Sequence, residues 1–406
     1  MVSSGELVRY SGLLALSFFC LFTVVAQDDE SRYQEFSLEI EGSNRYFFSD
    51  GLYPGQEQNN LSVSFQPEYL MEWKEGVHSI KFVGFARLDQ HDNRRTHLDL
   101  RELYWQTYND DLDFSLGFKK VFWGKTESAH LVDIINQTDA VESFDGEAKL
   151  GELMAHLTFP TSVGTMELFY MPMFRKRVFP GRKGRLRPGD ASDFVIDSRD
   201  FAFQADDGRW SPSLAARLSN YVGVLDFGVS YFHGTGREPI ITDFQTFNSV
   251  YGIINQVGVD LQVTTGSLLL KLESIYRANQ FQDIFALAGG FEYTFGNVGG
   301  SGLDIGILGE YLYDDRDDLA LNGLQSDVFS GLRLGFNDVQ DTQVLMGAIL
   351  DVNRSTDLYF IESSRRIGKS WKGVIEARIF DNVDPSEFTF FLREDSFIQA
   401  AITKYF

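Results

Sequence analysis

Cysteine is all but missing from this chain. The single one, Cys20, lies in the opening segment, where Arg9 precedes the apolar run 12–25, GLLALSFFCLFTVV, and the small residues Val24-Val25-Ala26. That pattern predicts a secretory signal peptide over residues 1–26, cleaved before Gln27. Ser17, Phe18 and Phe19 do not suit a lipoprotein cleavage site ahead of Cys20. The mature chain then has no cysteine, which excludes disulfides, zinc–thiolate sites and cysteine nucleophiles. No later stretch reaches the ~18 consecutive apolar residues of a spanning helix. Long helical periodicity is nearly absent as well. Proline is scarce, at nine residues, and Lys+Arg (36) are outnumbered by Asp+Glu (58). By hydropathy alone the chain looks soluble, but a membrane β-barrel also lacks long apolar runs.

What is abundant points to that barrel. There are 37 Phe, 17 Tyr and 37 Gly; aromatics suit two interfacial girdles, and glycine suits closely packed, curved strands. Segment after segment alternates with period two. In LSVSFQPEYLM, Leu61, Val63, Phe65, Tyr69 and Met71 share a face, against Ser62, Ser64, Gln66 and Glu68. LDFSLGF (112–118), LDFGVSY (225–231) and LDIGILGEYLY (303–313) repeat the pattern. This is strand periodicity. It predicts strands near 33–42, 60–72, 77–88, 97–108, 112–121, 150–159, 164–173, 210–219, 223–233, 250–263, 267–279, 283–295, 302–314, 326–337, 342–351, 356–366, 372–381 and 396–406. Every second connection is short or turn-like: WKEG, NDD, PTSVG, NYVG, TTGS, GNVGGSG, NDVQD and GKS. The others, such as 43–59, 122–149, 174–209 and 382–395, are mostly long. Outer-membrane barrels join strands in this way, with short periplasmic turns and longer extracellular loops. The expected fold is therefore all-β: a transmembrane antiparallel up-and-down β-barrel over residues 27–406, with eighteen strands (sixteen as the alternative), both termini periplasmic and one infolded loop.

The chain ends SFIQAAITKYF, with Ile398, Ala400, Ile402 and Phe406 on one strand face. This resembles the C-terminal strand by which outer-membrane proteins of Gram-negative bacteria are recognised by the barrel assembly machinery, with a departure at Lys404, where an aromatic is usual. Residues 100–142, LRELYWQTYNDDLDFSLGFKKVFWGKTESAHLVDIINQTDAVE, are similar to strand-turn-strand-loop segments of large porin-like channel families, including substrate-specific and alginate-export-type barrels. The resemblance covers about a tenth of the chain. It implies an outer-membrane channel with an infolded loop and names no substrate.

A barrel lumen is polar, so inward charges set selectivity. Alternation turns Lys81 and Arg87 inward, opposite Ile80, Phe82 and Leu88, and does the same for Lys119, Arg333 and Arg378. Arg101 is placed inward on a strand that alternates poorly. Together they predict a basic ladder on the wall. Loop 122–149 is the expected constriction, with a short helix over 127–135. It carries Lys125, Glu127, His130 and Asp133, among further acids, and would set negative charge against the ladder.

The stretch RKRVFPGRKGRLR (175–187) concentrates Arg175, Lys176, Arg177, Arg182, Lys183, Arg185 and Arg187 on one long outer connection. Three readings compete: it binds lipopolysaccharide phosphates, it folds into the vestibule and draws in anions, or it is a solvated loop. Outside the cell, nucleic acid is not an expected partner. DDRDD (314–318) lacks the spacing of a calcium loop and reads as a solvated tip. The six histidines form no metal motif; only His130, beside Ser128 and Asp133, suggests nucleophile chemistry. No metal, cofactor or enzymatic activity is expected. The function expected is passive, partly selective diffusion of small polar or anionic solutes across the outer membrane of a Gram-negative bacterium, with outer-membrane lipid and lipopolysaccharide as surroundings. The alternative is a non-conducting or export barrel: an adhesin, a polymer conduit or an assembly partner.

Overall fold

The computed structural model describes residues 32–188, 196–243, 248–317, 320–321 and 323–406. The expected signal peptide and Asp318 of the DDRDD run lie outside the described residues. Eighteen antiparallel strands close on themselves: β1 Arg32–Phe47, β2 Asn59–Trp73, β3 His78–Asp89, β4 His97–Asn109, β5 Leu112–Lys119, β6 Glu152–Thr161, β7 Gly164–Met171, β8 Ser213–Val222, β9 Leu225–Thr235, β10 Ile253–Thr265, β11 Leu268–Asn279, β12 Ile284–Phe295, β13 Asp304–Asp314, β14 Ser326–Gly335, β15 Gln343–Asp351, β16 Asp357–Ile367, β17 Trp371–Asp381 and β18 Phe397–Tyr405. Each pairs with its chain neighbours. The sheet shuts where β1 pairs with both β2 (Ile40↔Phe65) and β18 (Ile40↔Lys404). Closure leaves no strand edge unpaired, which a hydrocarbon surrounding demands.

The alternation decides which face each residue takes. On the outer face Leu116, Val229, Ile307, Leu332, Ile361 and Ile375 form an exposed apolar band. Tyr221, Tyr293, Phe295 and Phe336 ring its short-turn end, and Tyr170, Tyr231, Tyr276, Phe285, Tyr313 and Tyr359 ring its long-loop end. An apolar band between two aromatic girdles is the surface that a barrel offers to a bilayer.

The poor alternation of β4 has a local cause. Val83 pairs with Glu102 and Gly84 with Leu100, so Arg101 is an extra residue. This β-bulge turns Arg101 and Glu102 inward together, and both are buried.

Two expectations fail in the loops. Residues 127–135 form no helix. Three short strands were not foreseen: Ala202–Phe203, Ile240–Asp243 and Asn248–Tyr251 make a small separate sheet. It packs over Phe174, Ile196 and Phe201 at the long-loop end. The DDRDD run is also not a free tip: Arg316 bonds Asp314 at 2.6 Å and Glu238 at 2.7 Å.

Candidate functional site

The candidate site is the lumen, which two connections enter. Loop 120–151 crosses from β5 to the opposite wall, and the basic stretch 175–187 follows it at the long-loop end. The first is pinned by carboxylates rather than by helical hydrogen bonds. Glu273, fully buried on β11, accepts the amide N–H groups of Lys125 (2.6 Å), Thr126 (3.0 Å) and Val132 (3.2 Å), and the Thr126 hydroxyl (2.9 Å). Glu310 on β13 accepts the amides of Glu127 (2.8 Å) and Ser128 (2.9 Å), and the Ser128 hydroxyl. These bonds answer why the segment is not helical. The amides of Glu127, Ser128 and Val132 are taken by these distant carboxylates rather than by i−4 carbonyls, and Asp133 donates to the His130 carbonyl three residues back, so no helical ladder forms. Val121 and Leu150 are stitched together at the loop's neck by the Asn136 amide.

Apolar packing completes the anchorage. Trp123, Val132, Ile134 and Ile135 of the loop meet Met154, Phe169, Met171, Ala215, Phe232, Ile254 and Ile275 of the inner wall in one buried cluster. Gly258 leaves room for this contact: a Cβ there would lie 3.1 Å from the Val132 side chain and 2.7 Å from Ser230 Oγ. The lumen beside β6–β12 is therefore filled around an apolar cluster, which departs from the open polar lumen expected.

The other side of the lumen holds two cavities that share Glu127, Asp145, Glu147, Glu362 and Arg378 in their linings. The lower, of about 480 Å³, is walled by Glu41, Arg45, Arg87, Arg333, Lys372 and Glu376, and reaches down to Arg333 and Lys372 beside the short turns. The upper, of about 400 Å³, has Phe360, Phe380, Phe391, Leu358 and Ile349 on one side and the acidic part of the infolded loop on the other.

The inward basic residues do not stand as an open ladder, because all of them but Lys119 meet acids. Lys81 pairs with Glu68 (3.1 Å) and Glu102 (3.2 Å). Arg87 pairs with Glu142 (2.9 Å) and Glu41 (3.5 Å). Arg101 pairs with Asp139 (2.7 Å) and Asp99 (3.4 Å). Lys125 pairs with Asp226 (2.5 Å), and Arg333 with Glu127 (2.7 Å) and Glu292 (3.1 Å). Arg378 is held by Glu362 (2.5 Å), Asp145 (3.2 Å) and Glu376 (3.2 Å), over the ring of Phe360. Lys119 differs, donating to Ser115 (3.1 Å) and standing 3.3 Å from His156.

His130, Ser128 and Asp133 are neighbours in sequence only. The Ser128 hydroxyl donates to Glu310, Asp133 pairs with Lys149 at 3.1 Å, and His130 sits 3.1 Å from Glu147 and 3.9 Å from Glu273. No nucleophile–base relay results. Burial works against a charge on His130, but the Glu147 and Glu273 carboxylates prevail and raise it to about 10. His130 in turn lowers Glu147, while burial raises Asp133 despite Lys149. Among the described residues, no group of His, Cys, Asp and Glu is arranged to hold a metal ion.

The basic stretch is folded into the barrel mouth. Arg175 bonds Asp99 of β4 and the Gly151 carbonyl (2.9 Å). Lys176 donates to the Phe201 carbonyl (2.7 Å), and Arg177 donates to Gln137 of the infolded loop (3.3 Å). Arg185 bonds Asp395 (2.6 Å) over the Phe47 ring, and buried Arg187 lies over Tyr53. Of its seven basic residues only Arg182 and Lys183 are exposed. The solvated-loop reading therefore does not describe this segment.

Several residues escaped the sequence reading. Arg45 and Lys372 line the lower cavity, and Phe360, Phe380 and Phe391 line the upper one. Alternation does place Phe360 on the face of Glu362, and Phe380 on that of Arg378; an aromatic among inward charges was the available signal. Glu238 gave none. It lies in a loop, where burial opposes its charge but Arg316 and Arg277 hold its carboxyl at about 2.

No protein-family model and no curated protein matches the chain. Solved structures do. A BenF-like porin from Pseudomonas fluorescens Pf-5 superposes with a TM-score of 0.54 at 11% identity, covering 93% of this chain and 98% of that one. OpdR of Pseudomonas aeruginosa gives 0.51 at 12% identity, with 93% and 96% covered. Wzi of Escherichia coli, an outer-membrane protein involved in group 1 capsule assembly and a carbohydrate-binding β-barrel, gives 0.52 at 11% identity, with 91% and 84% covered. At such identities the likeness is one of fold, and the shared fold is the outer-membrane barrel.

Proposed function

We propose that this protein is a porin-like channel of a Gram-negative outer membrane, admitting small polar solutes by passive diffusion. The observation that carries the reading is the pair of adjoining, charge-lined cavities beside the infolded loop, which narrows the lumen without filling it. A solute would move between inward charges down its own gradient, and no cofactor enters. The anionic preference expected from a basic ladder loses support, since the ladder's cations, Lys119 apart, are matched by acids in contact with them. The girdles, the outward Ile398 and Ile402 of β18, and the exposed Phe406 that follows it suit lipid contact and recognition by the assembly machinery. Arg182 and Lys183, the exposed basic side chains of the stretch 175–187, suit contact with lipopolysaccharide. Single-channel recording in planar bilayers tests the channel: discrete conductance steps are expected, and a silent bilayer containing folded barrel refutes it.

A second reading is favoured by the filled half of the lumen and by the fold shared with Wzi. In that reading the barrel is plugged and binds or guides a polymer. Absence of conductance together with retention on a polysaccharide matrix would replace the first reading with this one.

A further inference from the structure

We infer that the passage selects organic cations that carry an apolar or aromatic body, such as arylalkylammonium ions. The inference rests on the channel reading above and concerns which charge the open surface presents. Counting charges gives a near balance around the lower cavity, but a solute meets exposed charge rather than total charge. The guanidiniums are withdrawn: the side chains of Arg87 and Arg378 are 7% and 8% exposed. Two acids of the cavity linings are in the open instead: Glu362, which holds Arg378, is 45% exposed, and Glu147 of the infolded loop, which holds His130, is 59% exposed. Arg333, at 36%, is less withdrawn but is bonded to both Glu127 and Glu292. Arg45, which donates to Gln399, and Lys372 are half-buried cations of the lower cavity only and do not line the upper one.

The upper cavity sharpens this asymmetry. Glu127, Asp145, Glu147, Asp327 and Glu362 line it, against Arg378 and His130 alone. Both cations are already engaged, Arg378 by three carboxylates and His130 by Glu147. An incoming anion would have to displace those carboxylates, whereas an ammonium group finds Glu147 and Glu362 accessible. In a cavity bounded by apolar walls such charges act more strongly than in bulk water.

The opposite wall sets the rest of the solute. Phe360, Phe380 and Phe391, with Leu358 and Ile349, face the acidic loop across the cavity. A phenyl or alkyl body shields its surface from water there, and an ammonium near the ring faces gains cation–π attraction. A small inorganic cation would use only the carboxylates. A cation with an apolar tail uses both sides, so it should outpace an anion of equal size and shape.

The test places the unmodified protein in neutral phosphatidylcholine bilayers under a potassium chloride gradient, and in liposomes swollen by phenethylammonium chloride, methylammonium chloride or sodium phenylacetate. The expected results are a reversal potential favouring potassium and faster entry of phenethylammonium than of phenylacetate. E147Q/E362Q should lower the potassium-to-chloride permeability ratio about three-fold, the size expected for exposed ion pairs. F380A should slow phenethylammonium relative to methylammonium. A reversal potential favouring chloride, or phenylacetate entering as fast as phenethylammonium, would overturn the inference and leave a channel standing. A bilayer without conductance would overturn the channel reading itself. If the double variant does not fold, the permeability ratio of the unmodified protein decides the matter.

Discussion

The two sides of this lumen are built from the same alternating strands and do opposite things. Beside β6–β12 the inward positions include Met154, Phe169, Met171, Phe232, Ile254 and Ile275, with charges such as Glu273 and the Arg217–Asp260 pair buried among them, and the infolded loop sits on them as a core. Beside β14–β17 and β1 the inward positions are mainly charged, among them Arg333, Glu362, Glu376, Arg378, Glu41 and Arg45, and a cavity remains. An identical backbone thus becomes a floor or a passage according to which residues occupy its second face. Carboxylates serve both sides. Glu273 is buried and binds backbone amides, so it holds structure; Glu362 is half-exposed and binds a guanidinium, so it presents charge.

The largest effect should come from unpinning the loop. Glu273→Ala removes the acceptor of three amides and a hydroxyl, each bond to a charged group being worth roughly 1.5–3 kcal/mol. A loss of several kcal/mol is expected on the denaturant scale, with a larger and noisier single-channel conductance; unchanged conductance would show that the loop is held by its apolar cluster alone. Next in size is a pair of truncations of the same residue type. Phe169 stacks on His156 with centroids 4.1 Å apart and meets Trp123 edge-on, and it is buried. Phe169→Ala should cost about 3–5 kcal/mol through the cavity left behind. Phe380 borders the open cavity, so Phe380→Ala should cost well under half of that. Equal costs in urea titrations would mean that the two sides are packed alike.

Ion pairs extend the contrast at smaller size. Arg217 and Asp260 form a buried pair at 2.6 Å and 2.8 Å, and Gly228 has no side chain where a Cβ would lie 2.3 Å from the guanidinium. Arg217→Met leaves Asp260 charged and alone, which costs about 3–5 kcal/mol for a buried partner. Arg365→Met, at a pair with Asp338 (2.7 Å) that is 51% and 31% exposed, should cost only a small part of that. Measured unfolding midpoints that failed to separate these two variants would remove burial as the distinction between them.

The wall was legible in the sequence for a plain reason. Period-two alternation is a local pattern, and each strand carries it whole, so all eighteen strands could be read with boundaries a few residues out. The bulge at Arg101 showed only as poor alternation, because its cause lies in the pairing with Val83 and Gly84. The loops were far less legible. Nothing near residues 127–135 announces that Glu273 and Glu310 will take their amides, and an apolar spacing that suits a helix also suits a coil packed on a wall. The sign of the basic stretch was plain, but its destination depends on Asp99 and Asp395, far away in sequence. For the passage, charge type was readable and exposure was not, which is why a row of inward Arg and Lys suggested anions.

The smallest effect proposed here concerns His130, which stands where the two sides meet. It touches Glu147 of the open cavity and approaches the pinning Glu273, with Asp133 also nearby. Its charged form is favoured in the fold, from an ordinary 6.5 up to about 10. The sign follows: the stabilisation is fully present below 6.5 and is lost as pH climbs through about 10. Glu147 is shifted the other way, so its share is present above its ordinary value of 4.5 and fades as pH falls through the lowered one. Between these limits the pair is intact. Raising the pH from neutral to above 10 should therefore free Glu147, loosen the loop tip and increase cation preference in reversal-potential measurements. Lysines and tyrosines titrate in the same range, so the decisive comparison is His130→Gln. That variant should show the high-pH preference already at neutral pH, and a smaller change on raising the pH. An identical pH response in both proteins would assign the effect to other groups.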